Sequence, residues 1–195
     1  MAKKITKKSK TSVTETNVEK SLQIVNIVVS SSLEHTIPLE KMAATLSNTE
    51  YNPEQFPGLV IRIKEPKTSA LIFSSGKIVC TGARSLQKVE ESIQKIIESL
   101  QKIGIKITIK PKITVQNMVA SGSIGMALNL NSLAMKLPNT EYEPEQFPGL
   151  VYKLIEAKAT FLLFSNGKVV CTGTKSEAEA MLALDKLIVI LKKLQ

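Results

Sequence analysis

Four of the five phenylalanines in this chain form two equally spaced pairs, Phe56 with Phe147 and Phe73 with Phe164. Phe56 and Phe147 each lie in a Glu-Gln-Phe-Pro-Gly tract. Closely spaced prolines (Pro53 and Pro57, then Pro144 and Pro148) exclude a helix or a central strand there, so these rings belong to loops. An aromatic ring carried on a loop does no acid–base work; it stacks or wedges. Cations recur at the same spacing: Arg62 with Lys153, Lys67 with Lys158 and Lys77 with Lys168. A single surface lysine reads as a solvated side chain, but paired recurrence beside the rings makes these six candidates for phosphate contact.

No catalytic set accompanies them. The one histidine, His35, has Met126 as its counterpart, and Cys80 and Cys171 fall in apolar runs that read as small buried hydrophobes. Two cysteines without a C-x-x-C exclude a disulfide scaffold and a cysteine zinc site. Glu50 and Glu54 recur as Glu141 and Glu145 in loop sequence with no companion base. The Gly-Lys pairs at 76–77 and 167–168 lack phosphate-loop spacing and read as hairpin turns. The residues therefore predict no enzyme, no cofactor and no metal.

A unit written twice positions these side chains. NTEYNPEQFPGLV (48–60) returns as NTEYEPEQFPGLV (139–151), and FSSGKIVCTG (73–82) as FSNGKVVCTG (164–173). Residues 24–100 align with 115–191 without a gap, with about 34 identities. A period that long, used twice, indicates two halves about a pseudo-twofold axis, not a solenoid. Each half predicts a strand (Ile24–Ser30 in the first), a short helix (Leu39–Leu46) and three more strands (Leu59–Lys64, Ser69–Ser74, Lys77–Thr81). A long helix from Ser85 to Gln101 follows, with Val89, Ile93, Ile96, Ile97 and Leu100 on one face. Ser85 and Ser176 are N-cap candidates, the latter forming a capping box with Glu179. A further strand is expected at Ile105–Ile109 in the connector. The fold class is α+β: one continuous antiparallel sheet with helices on one side. The domain reading is a flexible basic tail over 1–20, a first repeat over 21–104 and a second over 105–195.

A sheet covered on one side should alternate apolar and polar. These strands do not: Leu59-Val60-Ile61 and Ala70-Leu71-Ile72-Phe73 carry apolar side chains toward both faces. Each half has one long helix to spend, so an apolar working surface is left open. Paired aromatic wedges on a two-fold apolar surface suit a minor-groove binder that unstacks base steps.

The net charge of +9 does not sit on the repeats. Residues 24–100 hold eight cations against eight carboxylates, and 115–191 six against seven. The excess lies in the first twenty residues, in the connector and at the end, so phosphate attraction alone does not carry binding. No apolar segment follows the N-terminal lysines, which reads as a polar tail and not a signal peptide, and the expected setting is reducing and intracellular.

The tracts EYNPEQFPGLV and EYEPEQFPGLV, the stretch from Arg62 through Gly82 and the paired Asn26 and Asn117 resemble the TATA-box-binding protein family, most of all its archaeal form. The resemblance covers the chain from about residue 20 onward. It implies a saddle: a ten-stranded antiparallel sheet from two repeats, with helices on the convex side. It also implies a general transcription initiation factor that binds the TATA box of double-stranded promoter DNA in the minor groove. On that likeness Phe56 and Phe73 wedge one end of the site, and Phe147 and Phe164 the other. Asn26 and Asn117 bond minor-groove acceptors at the centre, supported by Thr81 and Thr172. Val28, Val79, Val119, Val170, Leu71 and Leu162 line the groove floor. Arg62, Lys67, Lys77, Lys153, Lys158 and Lys168 meet phosphates, Lys153 departing from the arginine usual in the family. Glu143 and Glu145 correspond to the surface that recruits transcription factor B, and Asn52 removes one of those charges in the first half. RNA polymerase follows indirectly, a homodimer is possible when the protein is free, and the implied location is cytoplasmic on the nucleoid, or nuclear in a eukaryote. Two other readings of the residues stand beside this one. One is a protein-interaction module whose apolar sheet face binds a peptide or partner protein. The other is the saddle as an accessory domain of a nucleic-acid-processing protein.

Overall fold

A computed structural model describes residues 20–194. The expected basic tail over 1–20 therefore lies, Lys20 apart, outside the described residues. The first half runs β1 (Ser21–Ser32), α1 (Leu39–Thr45), β2 (Thr49–Glu50), β3 (Gly58–Ile63), β4 (Thr68–Phe73), β5 (Lys77–Ala83) and α2 (Leu86–Lys102). The second repeats it as β6 (Thr114–Ser123), α3 (Leu130–Lys136), β7 (Thr140–Glu141), β8 (Leu150–Leu154), β9 (Ala159–Leu163), β10 (Lys168–Thr174) and α4 (Glu177–Leu194). Among the described residues the ten strands form one sheet, ordered β2-β3-β4-β5-β1-β6-β10-β9-β8-β7. The order is palindromic about the antiparallel β1–β6 pair, which joins the halves over Ser21–Ser30 and Thr114–Ser123. The result is the expected saddle with its helices on one side.

The strands form from short runs rich in β-branched and apolar residues bounded by turns, and successive side chains point to opposite faces, so burial alternates along them. In β4, Thr68, Ala70 and Ile72 are buried while Ser69, Leu71 and Phe73 are half-buried; β5 does the same with Ile78 and Cys80 against Val79 and Thr81. One face lies under α2 and α4, which pack on β5 and β1 and on β10 and β6. The other face is open. Ser85 caps α2, its Oγ accepting from the Lys88 N–H at 3.3 Å. Ser176 likewise accepts from the Glu179 N–H at 3.1 Å, but the Glu179 carboxylate reaches back to the N–H of Lys175, not that of Ser176.

Two differences from the expected elements have plain causes. Ile105–Ile109 forms no strand. Ile105 and Ile107 alternate inward as a strand would, yet they bury against the first-half core instead of joining a ladder. The outermost strands, β2 and β7, have only two residues each, too few to show a period.

The two cores are not identical copies. Ala70, Val89 and Ser92 in the first give way to Phe161, Ala180 and Ala183 in the second, all buried, so one large ring is balanced by smaller helix residues. Buried Thr68 and Ser92 share a hydroxyl–hydroxyl bond of 2.9 Å; their counterparts are Ala159 and Ala183. The Thr68 hydroxyl also has the Pro66 carbonyl as an acceptor at 3.3 Å, so Ser92→Ala leaves it a partner. That substitution should destabilise by no more than about 1 kcal/mol in urea unfolding.

Candidate nucleic-acid interface

The open face is apolar along its length and polar at its middle. Asn26 lies opposite Val119, and Asn117 opposite Val28, across the central strand pair. Each amide is clamped. The Asn26 Oδ1 accepts from the Gly82 N–H at 2.8 Å and from the Thr81 hydroxyl at 3.2 Å, while its Nδ2 donates to Thr81 Oγ1 at 3.1 Å. Asn117 repeats this with Gly173 (2.8 Å) and Thr172 (3.3 and 3.0 Å). The geometry needs glycine: Gly82 and Gly173 sit at φ +99° and +96°, where a β-bulge breaks the pairing of β5 with β1 and of β10 with β6. With each oxygen held by a backbone N–H, each NH₂ keeps a proton to donate, the group that minor-groove acceptors require.

The two ends carry the ring pairs. Phe56 and Phe73 meet edge to face with centroids 5.9 Å apart, as do Phe147 and Phe164. Phe56 and Phe147 remain 43% and 42% exposed, although phenylalanine is ordinarily a core residue. A short turn presents each ring: the Asn52 carbonyl accepts from the N–H groups of Gln55 and Phe56, and the Glu143 carbonyl from those of Gln146 and Phe147. The Glu143 side chain also accepts from the Gln146 amide. Sequence reasoning missed the spacers behind the rings. A Cβ at Gly58 would stand 2.7 Å from the Phe56 ring and 3.2 Å from Phe73; at Gly149 the distances are 2.6 and 3.0 Å from Phe147 and Phe164.

Val28, Val119, Leu71, Leu162, Val79, Val170, Thr81 and Thr172 are all half-buried and share the open face. The predicted cations Arg62, Lys67, Lys77, Lys153, Lys158 and Lys168 are all exposed around it. A groove of about 730 Å³ runs from Asn26 and Thr81 past Ser69 to Arg62, Lys67 and Arg84. Arg84 escaped the sequence reading, although its counterpart Lys175 is also a cation. Two cations already have partners. Arg62 Nε donates to Glu50 at 3.0 Å and Lys153 Nζ to Glu141 at 2.8 Å, both pairs exposed. Hydrogen bonding and then charge from these cations hold both carboxyls below the usual carboxylate range. Glu50 and Glu141 thus have an ion-pair partner across the edge strands, which is not the general base that catalysis would need. Burial pushes the Cys80 and Cys171 thiols up to about 11, away from nucleophilic use. Glu143 and Glu145 are exposed on the second ring-bearing loop, clear of the open face's central cluster.

A duplicated α+β saddle with an open apolar face, central oriented amides and a ring pair at each end defines a class of two-repeat sheet-binding proteins. The family model described as "Transcription factor TFIID (or TATA-binding protein, TBP)" matches residues 21–103 and 112–194, so the chain belongs to that family. It is similar to the TATA-box-binding protein of Pyrococcus horikoshii, 51% identical over 172 residues, covering 88% of this chain and 90% of that one. Against the protein of that name from Methanocaldococcus jannaschii the identity is 49% over 178 residues, covering 91% and 97%. The solved structure described as Methanococcus jannaschii TBP superposes with a TM-score of 0.83 at 50% identity, covering 88% of this chain and 98% of that chain.

Because Gly149 leaves room for its ring pair, Gly149→Ala should displace Phe147 and Phe164. Their ring proton resonances should move, while those of Phe56 and Phe73 stay in place.

Proposed function

We propose that this chain is a general transcription initiation factor that binds the TATA box in the minor groove, kinks it at both ends and nucleates assembly of the initiation complex. The observation that carries the reading is the two ring pairs, each with one exposed and one half-buried ring, at the ends of one apolar two-fold face, with clamped amides between them. Each ring pair enters a base step and unstacks it, opening the groove onto the apolar floor. Asn26 and Asn117 donate to the acceptors of the central base pairs. A guanine there would bury its exocyclic amine against valine and leucine without a partner, so A·T pairs are selected. Arg62, Lys67, Lys77, Lys153, Lys158 and Lys168 register the backbone. For Arg62 and Lys153, phosphate replaces or joins the present carboxylate partner.

The activity is binding without catalysis. The repeats take residues 21–104 and 105–195, and the location is cytoplasmic on the nucleoid, or nuclear in a eukaryote. Glu143 and Glu145 recruit transcription factor B, which brings RNA polymerase. Asn52 in place of the first-half carboxylate makes that recruitment one-sided. Charge reversal at Glu143 and Glu145 should abolish ternary assembly while leaving DNA binding intact.

Fluorescence energy transfer between the ends of labelled duplexes tests the core of the reading. A TATA-type duplex should bind tightly and bend, while a G·C-rich duplex of equal length should do neither. Alanine at Phe147 or Phe164 should reduce bending and weaken binding by about five- to a hundredfold, as expected for loss of about 1–3 kcal/mol of base–aromatic contact. Equal, unbent, salt-sensitive binding to both duplexes would overturn it. So would selective capture of a peptide by the open face with no duplex preference.

A further inference from the structure

The helices α2 and α4 occupy equivalent places in the two halves, yet their outward stripes differ in kind. On α2 the stripe reads Glu91, Lys95, Glu98, Lys102. Each glutamate precedes a lysine by four residues, the orientation in which helix charges satisfy one another. At the equivalent positions α4 has Leu182, Lys186, Val189, Lys193. The lysines are kept and the carboxylates are replaced by apolar groups. Leu182 and Val189 are 58% and 53% exposed; among the described residues no lysine of either stripe is in an ion pair, so what sets α4 apart is the apolar group that stands four residues before each lysine.

The neighbouring turn changes in the same sense. In the first half a groove of about 470 Å³ is lined by Lys64, Lys95, Glu98, Ser99 and Lys102. At those five positions the second half has Ile155, Lys186, Val189, Ile190 and Lys193, three apolar residues and two lysines, while the Glu65 that also lines the first-half groove is kept as Glu156. Ile155 is 66% exposed, and its turn, Ile155–Ala157, packs against α4. The fold does not require this surface, because the first half reaches the same architecture with charged residues at these positions.

We propose that the outer face of α4, with Ile155 beside it, docks an acidic amphipathic segment of another protein. Its apolar side chains lie on Leu182, Val189 and Ile155, and its carboxylates reach Lys186 and Lys193, supplying the charge that Glu91 and Glu98 supply on α2. A second copy of this chain fits less well, since pairing α4 with α4 would bring Lys186 and Lys193 against their own copies. The surface lies on the helix side of the sheet, apart from the open face.

The test uses the full chain and a short fluorescein-labelled helical peptide with leucines at i, i+4 and i+7 and glutamates between them, alongside the same peptide with lysine for glutamate. Anisotropy should show binding of the acidic peptide alone. Leu182→Glu with Val189→Glu, which writes the α2 pattern onto α4, should weaken it by about tenfold or more, with TATA-duplex binding unchanged as the control for folding. Glu91→Leu with Glu98→Val and Lys64→Ile, which supplies the counterpart of Ile155, should create a second site on α2. Failure of the acidic peptide to bind, equal binding of the basic one, or indifference to the α4 changes would overturn the proposal. So would binding of anionic phospholipid vesicles in place of the peptide, or a dimer in sedimentation that the α4 changes disperse.

Discussion

The antiparallel pairing of β1 with β6 is the interaction on which the rest of the molecule depends. Neither half closes its sheet: the inner edge of each is its first strand, and that edge is satisfied only by the first strand of the other half. The pairing turns two units into one surface, brings Asn26 and Asn117 to its centre and sends the ring pairs to its two ends. Offsets in the register at Ile24/Asn26 and Val28/Val29 are symmetric about the join, and the flanking bulges at Gly82 and Gly173 supply the N–H groups that clamp the amides. The central amides and the terminal ring pairs are thus placed by one piece of backbone geometry.

The open face is the costly part of the design. Apolar groups left in water gain nothing from folding, so the stability of the saddle must come from the other face, where two cores are buried beneath α2 and α4. Charge cannot take over the binding, because the repeats are near neutral and two of the six predicted phosphate ligands already sit beside carboxylates. On the proposed reading, shape, apolar contact and ring insertion are the terms that distinguish one duplex from another.

Much of this was legible in the sequence, for physical reasons. The repeat needs no structure to see, and short apolar runs bounded by turn residues assigned β3, β4 and β5 to within a residue or two. Side-chain alternation misled at Ile105–Ile109, because a chain can bury every second residue against a core without joining a ladder. The edge strands β2 and β7 were too short to register. Gly58 and Gly149 carry no chemistry of their own, so only the ring positions reveal why a side chain is excluded there. The Arg62–Glu50 and Lys153–Glu141 pairs cross between strands, which spacing along the chain does not disclose. The apolar stripe of α4 was legible all along by laying it against α2, but its meaning required knowing which side faces solvent.

The central claim is that this face reads the floor of the minor groove. Affinity measured on a TATA element with its central A·T pairs replaced by inosine·cytosine, and then by diaminopurine·thymine, tests it most directly. Inosine·cytosine keeps an A·T-like minor groove while changing the major groove; diaminopurine·thymine adds only the minor-groove amine. The account predicts that the first substitution leaves binding within about a few-fold and that the second weakens it by about two orders of magnitude, the scale of one or two buried unpaired donors. Loss of binding with inosine, or indifference to diaminopurine, would contradict it.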